Sequence, residues 1–206
     1  MSLIEKGIVC RIPVLRAATG AALAVVLLAG VAGSAWAGPK EDLKAVSVKF
    51  LALRSYHVVM ENSDKRMPKT EMDFVAPDRY RMQMGAMGTQ IVIGDTMYMQ
   101  IDGRSMRIPM PKGTMTQWRE TDRAMREVDK AQVEALGSDI VNGKPAKKYR
   151  MTQDSGGTPT STLMWVGADG YPVRIETTGK AGGRASTTTI TYSRFNDPSI
   201  RIDAPK

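Results

Sequence analysis

Methionine is the side chain through which this sequence offers most chemistry. The chain has 15 methionines, and 12 of them fall between Met60 and Met125. Arg79-Tyr80-Arg81-Met82-Gln83-Met84 alternates apolar with polar residues. Thr96-Met97-Tyr98-Met99-Gln100-Ile101 repeats the pattern, and Ser105-Met106-Arg107-Ile108 follows. Alternate residues of a β-strand share a face, so Met82, Met84, Met97, Met99 and Met106 are predicted to gather on one side of a sheet. Three uses fit such a face: ordinary core, a deformable wall for a greasy ligand, or soft thioether ligands for Cu(I).

Other chemistry is thin. His57 is the sole histidine and sits in a strand pattern beside Tyr56. There is no nucleophile-elbow, zinc-helix, P-loop or dinucleotide motif, and the carboxylates are scattered over turns and one helix. No enzyme, no cofactor and no metal are therefore expected. Cys10 is the only cysteine, so a Cu(I) carrier would have thioethers with almost no imidazole or thiolate support. It remains the least favoured use of the methionines.

The start of the chain reads as a secretory leader. Lys6, Arg11 and Arg16 form a basic segment, Ala17 to Ala32 is apolar, and Ala35-Trp36-Ala37 is a small-residue cleavage site before Gly38. The apolar run falls short of the roughly 20 residues that a membrane-spanning helix needs. A leader over 1–37 leaves a single domain over 38–206, exported to the periplasm and free of cysteine. Such a domain must rely on its core rather than on disulfides. Losing Glu5, Lys6, Arg11 and Arg16 takes the net charge from +8 to +6. For an exported chain, that excess of base suits anionic lipid or envelope surfaces better than nucleic acid. An ordinary solvated surface accounts for it equally.

Two helices and many strands must position the methionines. Leu43, Val46, Phe50 and Leu53 form one stripe of a helix predicted over 39–54, with Pro39 at its start and Glu41 and Asp42 in its first turn. From Ser55 the period changes to two. Strands are predicted over 55–62, 66–76, 78–84, 89–93, 96–101 and 104–108, separated by turn residues so short that neighbours must pair antiparallel. An amphipathic helix is predicted over 114–132, carrying Met115, Trp118, Met125 and Val128 on one stripe. Five more strands follow over 133–141, 144–153, 160–166, 171–178 and 184–195, with Asn142-Gly143 as a hairpin turn. The fold class is mainly β with helices (α+β). A curled antiparallel sheet of about 11 strands cannot stay flat, so it forms an unclosed half-barrel, and the second helix lids it.

Several segments resemble the LolA/LolB-type lipoprotein-carrier superfamily. Leu51-Ala52-Leu53-Arg54-Ser55-Tyr56-His57 is similar to its helix-to-strand junction. Phe74-Val75-Ala76-Pro77-Asp78-Arg79-Tyr80 is similar to its second strand pair. Ile91-Val92-Ile93-Gly94-Asp95-Thr96-Met97-Tyr98 and Val166-Gly167-Ala168-Asp169-Gly170-Tyr171-Pro172 are similar to two of its hairpins. The resemblance implies a periplasmic, non-enzymatic carrier whose sheet and helices hold acyl chains of a lipid or lipoprotein. It also implies an inner- or outer-membrane protein as a further partner, and the chain itself is expected to be a monomer. Lipoprotein-shuttling members place an arginine before the proline of the second strand, where this chain has Ala76. An envelope-stress or assembly module of the same fold is the alternative.

The ligand wall expected on this reading includes Met60, Met72, Phe74, Tyr80, Met82 and Met84 from the first strands. Met97, Met99 and Met106 extend it, and Trp118 and Met125 face it from the lid. Trp165 and Tyr192 complete it from the late strands. Arg79, Arg81, Arg104 and Arg107 either ring its mouth or form a solvated face.

Overall fold

The computed structural model describes residues 38–205 apart from 86–87, 102–103, 116–118, 120, 155–158 and 182–183. The expected leader lies outside these residues. Helix α1 (Pro39–Leu51) begins with Pro39 and carries Glu41 and Asp42 in its first turn and Lys49 in its last, each complementing the helix dipole. Leu43 and Val46 form its buried face. The helix stops at Leu51, three residues earlier than expected, yet Leu53 beyond it is still buried.

Six strands follow: β1 (Ser55–Asn62), β2 (Thr70–Val75), β3 (Arg79–Met84), β4 (Thr89–Ile93), β5 (Thr96–Ile101) and β6 (Arg104–Pro109). Strand β2 starts four residues later than predicted. The amide of Met67 donates to the carbonyl of Asp64, closing a turn, and Pro68 follows. Proline has no amide to give a ladder, so pairing begins beyond it. Helix α2 (Thr121–Lys130) is shorter than the predicted 114–132. Gly113 has a φ of 77° and the Thr114 amide donates to the Pro111 carbonyl, so this stretch turns before the helix begins. The chain then forms β7 (Gln132–Val141), β8 (Lys144–Asp154), β9 (Pro159–Gly167), β10 (Pro172–Ala181) and β11 (Arg184–Ser193). At the β7–β8 turn Asn142 and Gly143 both have positive φ, 51° and 75°, as a tight Asn-Gly hairpin requires.

All strands join one 11-stranded sheet in the order β6-β5-β4-β3-β2-β1-β11-β10-β9-β8-β7. The recorded pairings are antiparallel, and β6 and β7 are the edges, with no pairing between them. The expected fold, mostly β with two helices and an unclosed sheet, is the observed one. Edge strand β7 shifts register between Ala135 and Ser138, where Gly137 has a φ of 88°. A bulge there interrupts the free edge against pairing with a second chain.

Both helices pack on the same face of the sheet, called inner below. Leu53, Tyr56, Phe74, Tyr80, Val92 and Met115 form one cluster there, and Leu43, Val46, Val128, Tyr149 and Val166 form another. Lys49 fastens α1 to the β9–β10 hairpin. Its Nζ donates to the Asp169 carbonyl and lies 4.9 Å from the centre of the Tyr171 ring.

Candidate functional site

Residues paired directly across antiparallel strands point to the same side, so the register fixes which side chains share the inner face. The first row runs Tyr56–Phe74–Tyr80–Val92–Met97–Ile108 from β1 to β6. The second runs Val58–Met72–Met82–Gln90–Met99–Met106 across the same strands, and Tyr192 of β11 pairs with Val58. The third runs Met84–Thr70–Met60–Ile190–Ile175–Met164–Tyr149 from β3 through the middle of the sheet to β8. Met82, Met84, Met97, Met99 and Met106 therefore share one face, as their spacing predicts.

Burial falls from row to row. Phe74, Tyr80 and Tyr56 are buried in an aromatic stack, with Phe74 4.8 Å from Tyr56 and 5.0 Å from Tyr80 between ring centres. Phe74 and Tyr80 belong to the core: α1, Met115 and Arg119 lie over them, so they are not an open wall. Burial pushes the Tyr80 phenol up to about 12, as expected of a hydroxyl whose ionised form would face apolar neighbours. Tyr192 is half-buried in the same cluster, 5.2 Å from Phe50, and burial raises its phenol as well. The cover ends along the first row at Met97 and Ile108, and in the other two rows it keeps only Val58 and Tyr149 buried. Met72, Met82, Met84, Met97 and Met99 are half-buried, while Met60 and Met106 are 39% and 59% exposed.

The remaining expectations divide. Met125 is half-buried on α2. Trp118 lies outside the described residues. Trp165 is on the opposite, outer face. It pairs with Lys148 and Arg174, and the Met164 next to it in β9 takes the inner position. There it forms a small separate cluster with Val141 and Ala146, and its Nε1 donates to Asp139 at 2.9 Å. That hydrogen bond, with the Ile140 amide and Lys148, holds the Asp139 carboxyl down at about 2. Arg79, Arg81 and Arg107 also point outward, whereas Arg104 shares the methionine face at the β6 edge.

Charge is segregated by this geometry. Glu61, Glu71, Asp73, Arg81, Arg174 and Glu176 all project from the outer face. Among the described strand side chains, charge reaches the inner face only at its two ends, through Arg104 and Lys147. On the outer face Asp73 binds β1 to β3: its Oδ1 is 2.8 Å from His57 Nδ1 and its Oδ2 accepts from Arg81 at 2.5 Å. His57 is thus part of a structural trio.

The Asp73 trio makes acid stability testable. Burial alone would raise the Asp73 carboxyl, but hydrogen bonds and charge from Arg81 and His57 hold it below the usual carboxylate range. A carboxyl depressed in the folded state adds stability that is present above its unfolded value of about 3.9 and is lost as pH falls through the folded value. Thermal unfolding of Asp73→Asn followed from pH 6 to pH 2 is expected to decline less steeply below about pH 4 than the parent. Identical acid limbs for the two proteins would remove this role.

Arg119 is the site residue that sequence reasoning missed. Its Nη2 donates to the carbonyls of Leu51 at 2.6 Å and Leu53 at 3.4 Å, and its Nη1 donates to the Tyr56 hydroxyl at 3.2 Å. The guanidinium lies 4.0 Å from the Phe74 ring centre. Arg119 thereby ties the segment leading into α2 to the C-terminal end of α1, over the sealed row. A cation suits the carbonyls at a helix C-terminus.

At the far end of the third row, α1 stands off the sheet and leaves a cavity of about 380 Å³. Val46, Tyr149, Val166 and Gly167 line it, with Asp42 and Lys147 also at its wall. Asp42 accepts a hydrogen bond from the Tyr149 hydroxyl at 2.8 Å, which together with burial raises that phenol to about 12. The volume is within the usual range for ligand pockets, about 300–1,000 Å³. Tyr149 belongs both to this cavity and to the third row, so the two adjoin at its side chain.

Two solved structures share this architecture. LprF from Mycobacterium bovis matches with a TM-score of 0.62 at 18% identity, over 81% of this chain and 96% of LprF. The Mycobacterium tuberculosis lipoprotein LppX matches with a TM-score of 0.57 at 16% identity, over 80% of this chain and 96% of LppX. The chain shares the fold of these two proteins. No family model and no curated protein matches its sequence, so the likeness is one of fold. The second-strand motif holds Ala76, and Arg119 fastens the helical cover to the segment just before β1. Among the described residues, no three His, Cys, Asp or Glu side chains gather to hold a metal, and no helix is long and apolar enough to cross a membrane.

Proposed function

We propose that this chain is a non-enzymatic binder of a hydrophobic ligand, the acyl chains of a lipid or lipoprotein, exported to the cell envelope behind a cleaved leader. The observation that carries this reading is the second and third rows. Apart from the buried Val58 and Tyr149, they form an inner face, mostly methionine and isoleucine, that is half open and uncharged over its described centre. Core residues would be sealed, as Tyr56, Phe74, Tyr80 and Val92 of the first row are. Methionine suits this role because its unbranched thioether side chain adapts to a flexible partner. Each methylene taken from water contributes about 0.8 kcal/mol without needing a fixed geometry. The third row offers such a chain a path toward the cavity under α1.

Organic extraction of protein purified from its native envelope, followed by mass spectrometry, is expected to release a lipid. A glutamate at Met82 places a charge in the second row at a half-exposed site. Met82→Glu is expected to weaken binding of a fluorescent fatty-acid probe by at least about ten-fold, the cost of desolvating part of a carboxylate. Its unfolding temperature should stay near that of the parent. Lipid-free extracts together with no probe binding by the parent would end this reading.

A further inference from the structure

The inner face changes character at its fourth row. Asn62, Thr188, Thr177 and Thr162 are consecutive cross-strand partners on β1, β11, β10 and β9. They lie two residues along each strand from Met60, Ile190, Ile175 and Met164, and all four are half-buried. A continuous apolar strip is thus bordered by a continuous polar one, on the same side of the sheet.

These polar groups are neutral and already oriented. Asn62 Nδ2 donates to Thr188 Oγ1 at 3.0 Å, and the Thr162 and Thr177 hydroxyls are 3.2 Å apart. A threonine hydroxyl has one hydrogen to donate and two lone pairs. Thr188 accepts from Asn62, so its own hydrogen remains to be given. The Thr162–Thr177 pair uses one hydrogen internally and has one left. The row therefore presents both donors and acceptors toward whatever lies on the methionines. No described strand side chain supplies a cation beside it. In the neighbouring β1–β2 loop, Arg66 pairs with Asp64 at 2.5 Å and Lys69 with Glu71 at 3.0 Å, leaving the exposed Lys65.

We infer that Asn62, Thr188, Thr177 and Thr162 select the ligand's polar end, and that this end is an uncharged ester or hydroxyl group, as in a neutral acylglycerol-type lipid, rather than a carboxylate. The inference rests on the acyl-chain reading above and specifies its ligand class. A carboxylate drawn to this row would lose water without meeting a cation among the described strand side chains, Lys65 being out in solvent on the β1–β2 loop. Ester carbonyls and hydroxyls match the donors and acceptors on offer. The selection acts against the protein's own field, because the chain without its leader carries a net charge of +6 and attracts anions at long range.

Displacement of the neutral dye N-phenyl-1-naphthylamine tests this, using protein purified from the envelope and stripped of lipid. At pH 8, 1-oleoylglycerol is expected to displace the dye at about one-tenth the concentration of oleate, the discrimination expected of a neutral polar site. Methyl oleate, an ester without hydroxyls, should fall between them. In the near-isosteric double variant Thr162→Val/Thr177→Val the advantage of 1-oleoylglycerol over oleate should shrink at least several-fold, with the unfolding temperature staying near that of the parent. Oleate binding as well as or better than 1-oleoylglycerol would overturn the inference while leaving an acyl-chain binder standing. An unchanged preference in the double variant would also overturn it, since selection would then lie elsewhere. Displacement by none of the three would remove both the inference and the reading beneath it.

Discussion

Replacing Phe74 with alanine is expected to lower the unfolding free energy by about 3–5 kcal/mol, the cost of emptying a closed aromatic site. Phe74 is 0% exposed, the centre of a stack that includes Tyr56 and Tyr80, and it carries the Arg119 guanidinium on its face. The surroundings cannot collapse freely, because strands β1 and β3 hold both flanking rings in register. A loss of that size takes up much of the stability of an ordinary domain, about 5–15 kcal/mol. Urea unfolding followed by fluorescence measures it. Phe74→Leu should cost clearly less and leave acyl-probe affinity within about two-fold, since the first row is floor rather than wall. Probe affinity lost in Phe74→Leu without loss of stability would return Phe74 to the ligand wall.

The second large effect is expected at Arg119. Arg119→Ala should cost about 2–4 kcal/mol, combining charge-assisted hydrogen bonds worth roughly 1.5–3 with a partly desolvated cation–π contact. The carbonyls of Leu51 and Leu53 and the Tyr56 hydroxyl would each lose a donor. Lysine is a compact charge without the planar fork, and it cannot reach two carbonyls and a hydroxyl while lying flat on a ring. Arg119→Lys should therefore recover less than half of the loss. Proteolysis is the second measurement: if Arg119 fastens the cover, cleavage between β6 and α2 should quicken in Arg119→Ala before global unfolding does. Equal stability of the alanine variant and the parent would show that the contact contributes nothing.

These two residues also mark where the sequence stops being informative. The period-two pattern correctly grouped the methionines, because alternation within a strand is local. It could not show that helices would seal Phe74 and Tyr80 and leave the methionines half open, because that depends on where α1 and the α2 lead-in come to rest. Trp165 was grouped with the methionines for a related reason. Its side is set by the register of β9 against β8 and β10, and a slip of one residue exchanges the two faces. The Asn142-Gly143 turn and the bounds of β1, β4 and β5 were legible because turn chemistry is local as well. Arg119 had no local signal. It sits between Trp118 and Glu120 in a stretch of mixed charge that reads as the surface of a longer helix, and only the turn around Gly113 sends it inward. The neutral polar row had no local signal either: Asn62, Thr188, Thr177 and Thr162 come from four strands, and only the pairing of β1 with β11 puts them in one line.

The strand order has a consequence for how the molecule assembles. From β6 to β1, and again from β11 to β7, every neighbour in the sheet is also the neighbour in sequence. The chain is therefore two meanders, each able to zip up hairpin by hairpin with short loops to close. Only the β1–β11 pairing, His57 with Ser193 through Asn62 with Thr188, joins segments from opposite ends of the domain. The third and fourth rows both cross that seam, at Met60–Ile190 and at Asn62–Thr188. The greasy path and its polar border thus become continuous in the one step that closes the longest loop, and neither half of the chain carries the whole site before it.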